Sequence, residues 1–93
     1  MIKSFSNKFS EELFNRRFVR NLPSNILKSA YRKLLIIDGA DKLDDLNIPP
    51  GNKLEKLYGD LSGKYSIRIN DQWRIIFCWK ENNAYDVEII DYH

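Results

Sequence analysis

Hydrophobic and polar residues alternate most regularly in two runs between positions 64 and 79. The apolar residues that recur at every second position of these runs are Tyr65, Ile67, Ile69, Trp73, Ile75, Phe77 and Trp79. Alternation of aromatic and β-branched residues with this period predicts two half-buried antiparallel strands. Between them lies Asn70-Asp71-Gln72, and Asn and Asp are typical turn residues. The stretch therefore predicts a β-hairpin with one apolar face.

The opposite face of this hairpin carries two arginines, Arg68 and Arg74, at alternate positions of the two strands. A strand holds its side chains in fixed directions, and the guanidinium group binds phosphate through two parallel hydrogen bonds. The pair therefore indicates phosphate recognition. The alternative is that both are ordinary surface arginines of a strand.

Helical spacing of apolar residues dominates the first half of the chain. A first helix is predicted with Ser10 as its N-cap and Glu11 and Glu12 in its first turn, ending at residues 21–23. Its apolar face is formed by Phe9, Leu13, Phe14 and Phe18. A second helix is predicted over residues 24–37, ending at Asp38-Gly39. These helices form a hairpin that can cover one face of a sheet.

Shorter elements complete the prediction. Strands are expected at residues 2–5, 53–57 and 84–90, the last with Tyr85, Val87 and Ile89 on one face, and one helical turn at Leu43 to Leu46. The order of elements predicts a single α+β domain over residues 1–93, with helices on one face of a largely antiparallel sheet. We expect the first strand beside a central one. The uncovered face would be concave and would carry Arg68, Arg74, Glu55 and Tyr58.

Composition agrees with a globular domain of 93 residues, 43% hydrophobic and 30% charged. Apolar runs are too short to span a membrane, and the first residues lack a signal-peptide core, so a cytoplasmic protein is expected. One cysteine, Cys78, excludes an internal disulfide. It is expected as a small strand residue, with a reactive thiol as the alternative.

Charge is distributed unevenly along the chain. Residues 1–37 hold eight basic and two acidic residues, whereas residues 38–93 hold seven basic and eleven acidic ones. This asymmetry indicates two surfaces with different partners. The alternative is that the basic residues only form solvated helix faces.

No metal or cofactor is expected from the residue spacing. The acidic residues Asp41, Asp44 and Asp45 lack the alternating ligands and the glycine of a calcium loop. No His/Cys cluster has the spacing of a zinc site.

Four short motifs together resemble one protein family. They are the MIKSF start, the L-x-x-L-x-G-D turn from Leu54 to Asp60, the S-I-R-I-N-x-x-W-R strand pair from Ser66 to Arg74, and the terminal D-Y-H at Asp91, Tyr92 and His93. In this order and spacing they resemble the HigB toxins of the RelE/ParE toxin superfamily. The resemblance covers essentially the whole chain.

The resemblance implies a RelE-like fold and a type II toxin that cleaves messenger RNA on the ribosome. It also implies a helix-turn-helix antitoxin of the HigA kind, through which operator DNA would be reached only indirectly, and no membrane partner. It places the family's catalytic arginine at Arg74 and its functional tail at Asp91 and Tyr92. Arg68 would be a second phosphate contact. Tyr92 could stack on a base or transfer a proton, or could simply close the core.

The sequence departs from the family pattern at three positions. Many relatives have His where Glu55 stands, Lys where Tyr58 stands and Asn where Gln72 stands. Glu55 could act as the base in place of imidazole. Gln72 keeps an amide, and charge stabilisation would fall to Arg68, Arg74 and Lys56. The terminal His93 is a further candidate for proton transfer, although chain ends are often frayed.

Two other functions stay open on the sequence. One is a toxin of the same fold that acts on a different target, such as DNA gyrase. The other is a non-catalytic domain that binds RNA or protein.

We also expect Arg74→Ala to change stability by less than about 1 kcal/mol, as an ordinary surface substitution would.

Overall fold

The structure, a computed structural model, describes residues 1–17, 19–20 and 22–91. Among these residues two α-helices precede four strands: α1 (Lys8–Phe14), α2 (Leu27–Gly39), β1 (Glu55–Lys56), β2 (Lys64–Arg68), β3 (Trp73–Lys80) and β4 (Asn83–Asp91). Short 3₁₀ turns lie at Ser24–Ile26, Leu43–Asn47, Pro50–Asn52 and Gly59–Leu61. The α+β class is confirmed, as are the second helix and the helical turn that contains Leu43 and Leu46.

The four strands form one antiparallel sheet in the order β1-β2-β3-β4. In the predicted hairpin, Ile67 pairs with Ile75 and Arg68 pairs with Arg74. Strand β1 has two residues rather than the five predicted over 53–57. Lys53 is excluded from it by a left-handed backbone, φ 46°, that an extended strand cannot contain.

The hydrophobic core lies between the helices and one face of the sheet. Helix α2 contributes Ala30, Leu34 and Ile37, all with no exposed surface. The sheet contributes the residues with the parity predicted from the alternation, including Ile67, Ile75 and Phe77. Because apolar residues fill this face, the polar residues of the hairpin are left on the other one.

The first strand is reduced to two isolated parallel bridges. Ile2 pairs with Ala84 and Phe5 with Val87, so the segment runs beside β4 at the edge of the sheet and not beside a central strand. The backbone N–H of Ile2 also donates to Asp38 Oδ1 at 2.9 Å. The prediction of a full strand over 2–5 inserted beside a central strand is therefore wrong in length and position.

Helix α1 begins earlier than predicted. Asn7 is its N-cap, with Oδ1 accepting from the backbone N–H of Ser10 at 3.2 Å. Ser10 is fully buried inside the helix, and its hydroxyl accepts from the N–H of Ile89 at 3.0 Å. Ser10 was predicted as the N-cap because Ser and Asn are both good N-cap residues. In the structure the Ser10 hydroxyl instead joins α1 to β4.

Helix α1 also ends earlier, at Phe14 and not at residues 21–23. Its last turn is closed by Arg16, whose backbone is left-handed with φ 60°. A residue in that conformation ends a helix. The predicted helical position Phe18 lies outside the described residues.

One face assignment on β4 is wrong. Tyr85 pairs with Cys78 on the outward face, whereas Val87 and Ile89 are buried in the core. An irregularity in the β3–β4 register, at the left-handed Asp86 with φ 53°, inserts one residue and reverses the parity.

Candidate active site

Arg74 is fixed on the sheet face that the helices leave uncovered, at the second position of β3. Its Nη1 donates to Ser66 Oγ at 2.8 Å and lies 3.5 Å from the carbonyl oxygen of Lys53. Its Nη2 donates to Glu55 Oε1 at 2.8 Å. The side chain is only 12% exposed. The structure thus holds one edge of the guanidinium in a defined orientation near the surface.

The strand register explains why these groups meet. Glu55 pairs with Ser66 across β1 and β2, which places both on one face of the sheet. Arg74 lies diagonally from Ser66, because Ser66 pairs with Ile76. A diagonal neighbour lies about 7–8 Å away, within reach of a long side chain. The result is a row of three side chains across three strands, Glu55, Ser66 and Arg74, which we call the Arg74 row.

Arg68 lies opposite Arg74 on the same face, as the parity predicted. Two like charges in directly paired positions repel one another. Here each has its own carboxylate, because Arg68 Nη2 donates to Asp71 while Arg74 is paired with Glu55. Arg68 thus points towards the hairpin turn and not into the Arg74 row.

Arg68 also influences a lysine of helix α2. The pKa of Lys33 is lowered from its usual 10.5, first by burial and then by the positive charges of Arg32 and Arg68. Lys33 donates to Asn52 Oδ1. Arg32 and Arg68 are therefore close enough to Lys33 to act on its charge.

The hairpin turn and the end of β4 are joined by a side-chain hydrogen bond. Gln72 Nε2 donates to Asp91 Oδ2 at 3.0 Å, and Trp73 pairs with Asp91 in the sheet. This contact brings two predicted site residues together at the turn end of the sheet, although Asp91, paired with Trp73, has the strand parity opposite to that of Arg74. The two residues that follow Asp91, Tyr92 and His93, lie outside the described residues, so their roles stay predictions.

Two other candidates are not part of this cluster. Lys56 pairs with Tyr65 and directly follows Glu55 in β1, so the side chains of Glu55 and Lys56 lie on opposite faces of the sheet. Tyr58 follows β1 and is 76% exposed. Its ring is available to a ligand, whereas the parity of Lys56 directs it away from Arg74.

Two contributors to the site were not identified from the sequence. Ser66 is fully buried and accepts the shorter Nη1 hydrogen bond of Arg74, and the Lys53 carbonyl lies beside the same nitrogen. The alternation in β2 did indicate the face of Ser66, because Ser66 lies two positions from Arg68 and therefore on the same face of the sheet. The role of Lys53 depends on its left-handed backbone, and no side-chain pattern indicates it.

Two further kinds of feature are absent from the part of the chain that the structure describes. Within residues 1–17, 19–20 and 22–91, no three His, Cys, Asp or Glu side chains are placed to hold a metal ion. Across the same residues, no helix combines the length and the apolar character that a membrane span requires.

Comparison with known proteins identifies the family. Residues 3–93 match the model of the HigB-like toxin family, described as the RelE-like toxin of the type II toxin–antitoxin system HigB. The chain belongs to the HigB-like toxin family. Toxin HigB-1 of Vibrio cholerae is 42% identical over 85 residues, which is 90% of each chain. A protein of Proteus vulgaris named endoribonuclease HigB is 34% identical over the full length of both.

Solved structures agree with this family in fold. A YoeB-YefM toxin–antitoxin complex from Staphylococcus aureus contains a chain with a TM-score of 0.61 and 25% identity, covering 100% of this chain and 98% of that one. YafQ of Escherichia coli has a TM-score of 0.54 at 20% identity, covering 94% of this chain and 91% of that one, and shows the fold alone. The HigB resemblance and the RelE-like α+β fold are thus confirmed, and a toxin of a type II system implies an antitoxin partner.

Proposed function

We propose that this HigB-like toxin is an endoribonuclease that cleaves messenger RNA on the ribosome. The endoribonuclease class is supported by the family and by the name of the Proteus vulgaris relative. The observation that carries the proposal is the Arg74 row. An arginine side chain that is 12% exposed, with its guanidinium oriented by Ser66 and Glu55, is suited to hold one phosphate in one orientation.

The chemistry that we propose is attack by the ribose 2′-hydroxyl on the adjacent phosphate, without a metal ion. The hydroxyl transfers its proton to a base, its oxygen bonds to phosphorus, and the bond from phosphorus to the 5′-oxygen breaks as an acid protonates that oxygen. Arg74 stabilises the negative charge that develops on the phosphate oxygens.

Glu55 is our candidate for the base. In the structure it accepts a hydrogen bond from Arg74 Nη2. An arriving phosphate would compete for the same N–H groups, and exchange of this partner would release the carboxylate beside the substrate. Asp91, Tyr92 and His93 are the candidates for the acid. Arg68, Gln72 and Tyr58 would contact the RNA around the scissile bond, whereas the parity of Lys56 makes it the weakest of the RNA-binding candidates.

We propose dependence on the ribosome because the contact that the described residues of the sheet face offer to the substrate is one fixed phosphate contact, at Arg74. A ribosome holds the message in one conformation, and fixed in-line geometry supplies much of the rate of such a reaction. We therefore propose slow cleavage of free RNA and fast cleavage on the ribosome, which places the activity in the cytoplasm.

The antitoxin in this proposal is a HigA-like helix-turn-helix protein encoded by the neighbouring gene. The toxin would reach operator DNA only through that antitoxin. The support is the family description, which assigns these toxins to a type II toxin–antitoxin system.

Mapping of transcript 5′ ends after brief expression in living cells tests the proposal. We expect new ends within translated regions for the wild type and none for Arg74→Ala, with plasmid supercoiling unchanged. Altered supercoiling with intact transcripts would favour a gyrase toxin. Translation arrest with neither change would favour a non-catalytic binding domain.

A further inference from the structure

An open groove lies on the helical side of the molecule, where the end of α1 meets the start of α2. Its volume is about 380 Å³. The described residues that line it are Leu13, Arg16, Arg17, Leu27, Lys28 and Tyr31. Arg74 lies on the opposite face of the sheet from these helices. The groove is therefore a second surface, separate from the candidate active site.

The groove combines an apolar floor with a basic rim. Its apolar residues are buried or half-buried, whereas its three basic residues are exposed. Salt bridges in the described part of the chain involve the cations Arg68 and Arg74 and none of the rim residues. The rim charge is thus not neutralised by ion pairing with described carboxylates. Such a surface is complementary to a segment with apolar residues flanked by carboxylates.

The backbone of Arg16 is a second feature of the rim. The N–H of Arg16 donates to the Leu13 carbonyl at 2.9 Å, and that of Arg17 donates to the Glu12 carbonyl at 2.8 Å. These two bonds form the helix ending in which the left-handed residue is usually glycine. Arg16 occupies that position with φ 60°, a strained conformation for a residue with a side chain.

The side chain of Arg16 is directed to the groove. Its Cζ lies 5.3 Å from the centre of the Tyr31 ring, within the range of a cation–π contact. An arginine in a position that favours glycine keeps a guanidinium at the rim at a cost in backbone strain. Strained residues of this kind are enriched at ligand-binding sites.

We propose that this groove is the docking site for an acidic amphipathic segment of the antitoxin. The inference rests on the proposed function, to which it adds the toxin surface that the partner recognises. Apolar side chains of the segment would contact Leu13 and Leu27, and its carboxylates would pair with Arg16, Arg17 and Lys28. The apolar floor favours a protein segment over RNA, because apolar side chains can be buried against Leu13 and Leu27 whereas a phosphate–sugar backbone cannot.

The test measures binding of the purified product of the neighbouring gene to toxin variants at several salt concentrations. Arg16→Gly removes the guanidinium and the backbone strain together, so its melting temperature should be unchanged or higher. Its affinity for the antitoxin should fall about tenfold or more, because a carboxylate of the segment would lose its arginine partner. A double variant, Arg17→Glu with Lys28→Glu, should lose more affinity and most of the salt dependence. Lys80→Glu, an exposed charge reversal at the end of β3, is the matched control and should bind like the wild type.

Cleavage on ribosomes separates this inference from the proposed function. The groove variants should cleave messenger RNA at the wild-type rate but should no longer be neutralised by the antitoxin. Wild-type affinity in both groove variants would overturn the docking site. Reduced cleavage with unchanged affinity would show an RNA-binding surface instead. No binding of the neighbouring product to the wild type would refute the partner while leaving the nuclease assay valid.

Discussion

Replacing Arg74 with lysine keeps the positive charge and removes the two-pronged geometry. Arg74 donates from Nη1 to Ser66 and from Nη2 to Glu55, each at 2.8 Å. A single ammonium group cannot reproduce both contacts with the same directions. A hydrogen bond that involves a charged group contributes about 1.5–3 kcal/mol. Since lysine can retain one partner, we expect Arg74→Lys to lower the free energy of unfolding by about 1–2 kcal/mol.

This loss of unfolding free energy is larger than substitution of an exposed surface residue would cause. The sequence suggested less than about 1 kcal/mol for Arg74→Ala, but the structure shows a side chain that is 12% exposed and bonded to the buried Ser66. For a domain of this size, 1 kcal/mol corresponds to about 4–8 °C in melting temperature. Thermal unfolding of Arg74→Lys should therefore show a decrease of roughly 5–15 °C.

The effect on catalysis should be larger still. Removing one donor that stabilises charge in a transition state costs about 10²–10³-fold in rate. We would measure cleavage of a defined transcript on stalled ribosomes at a temperature at which both proteins are folded. Arg20→Lys, a replacement of an exposed arginine, serves as the control and should change neither rate nor stability. A folded Arg74→Lys protein that cleaves at the wild-type rate would refute the phosphate-clamp argument.

Three further predictions concern other parts of the molecule. Asn52 is fully buried, donates to two backbone carbonyls and accepts from Lys33, so Asn52→Ala should cost about 2–4 kcal/mol in urea unfolding, with the exposed Asn25→Ala close to neutral. Tyr58→Lys should raise the ribosomal cleavage rate if a cation is missing beside the site, and an equal or lower rate would indicate that the exposed ring stacks on a base. Because burial and neighbouring cations lower the pKa of Lys33 below 10.5, the unfolded chain binds more protons just below that pH. Stability should thus rise as the pH approaches 10.5, and Lys33→Met should flatten that part of the curve of urea midpoint against pH.

The sequence predicted the elements whose patterns are long and regular. The β2–β3 hairpin and helix α2 were found because one face of each is buried over several repeats. The shared face of Arg68 and Arg74 followed from the same parity. Elements that depend on few residues were less predictable, since the first strand is only two isolated bridges and β1 has only two residues.

Errors arose where a single backbone conformation interrupts the pattern. The left-handed residues Arg16, Lys53 and Asp86 end a helix, delay a strand and reverse the parity of a strand, respectively. Arg16 and Lys53 give no local signal because they are not glycine, and Asp86 gives only the weak signal of a residue type that tolerates this conformation. Ser66 was not identified as a site residue for a different reason. The alternation indicated which face of the sheet it occupies, but its hydrogen bond to Arg74 depends on the diagonal register of β2 and β3.

End-group analysis of the cleaved RNA tests the central claim most directly. Purified toxin would be added to ribosomes stalled on a defined transcript, and both fragments would be recovered. Attack by the 2′-hydroxyl predicts a 5′-hydroxyl on the downstream fragment and a 2′,3′-cyclic phosphate, or its opened monophosphate, on the upstream one. Fragments with these ends should form with the wild type and be reduced by about 10²–10³-fold with Arg74→Lys. A 5′-phosphate on the downstream fragment would contradict the proposed chemistry.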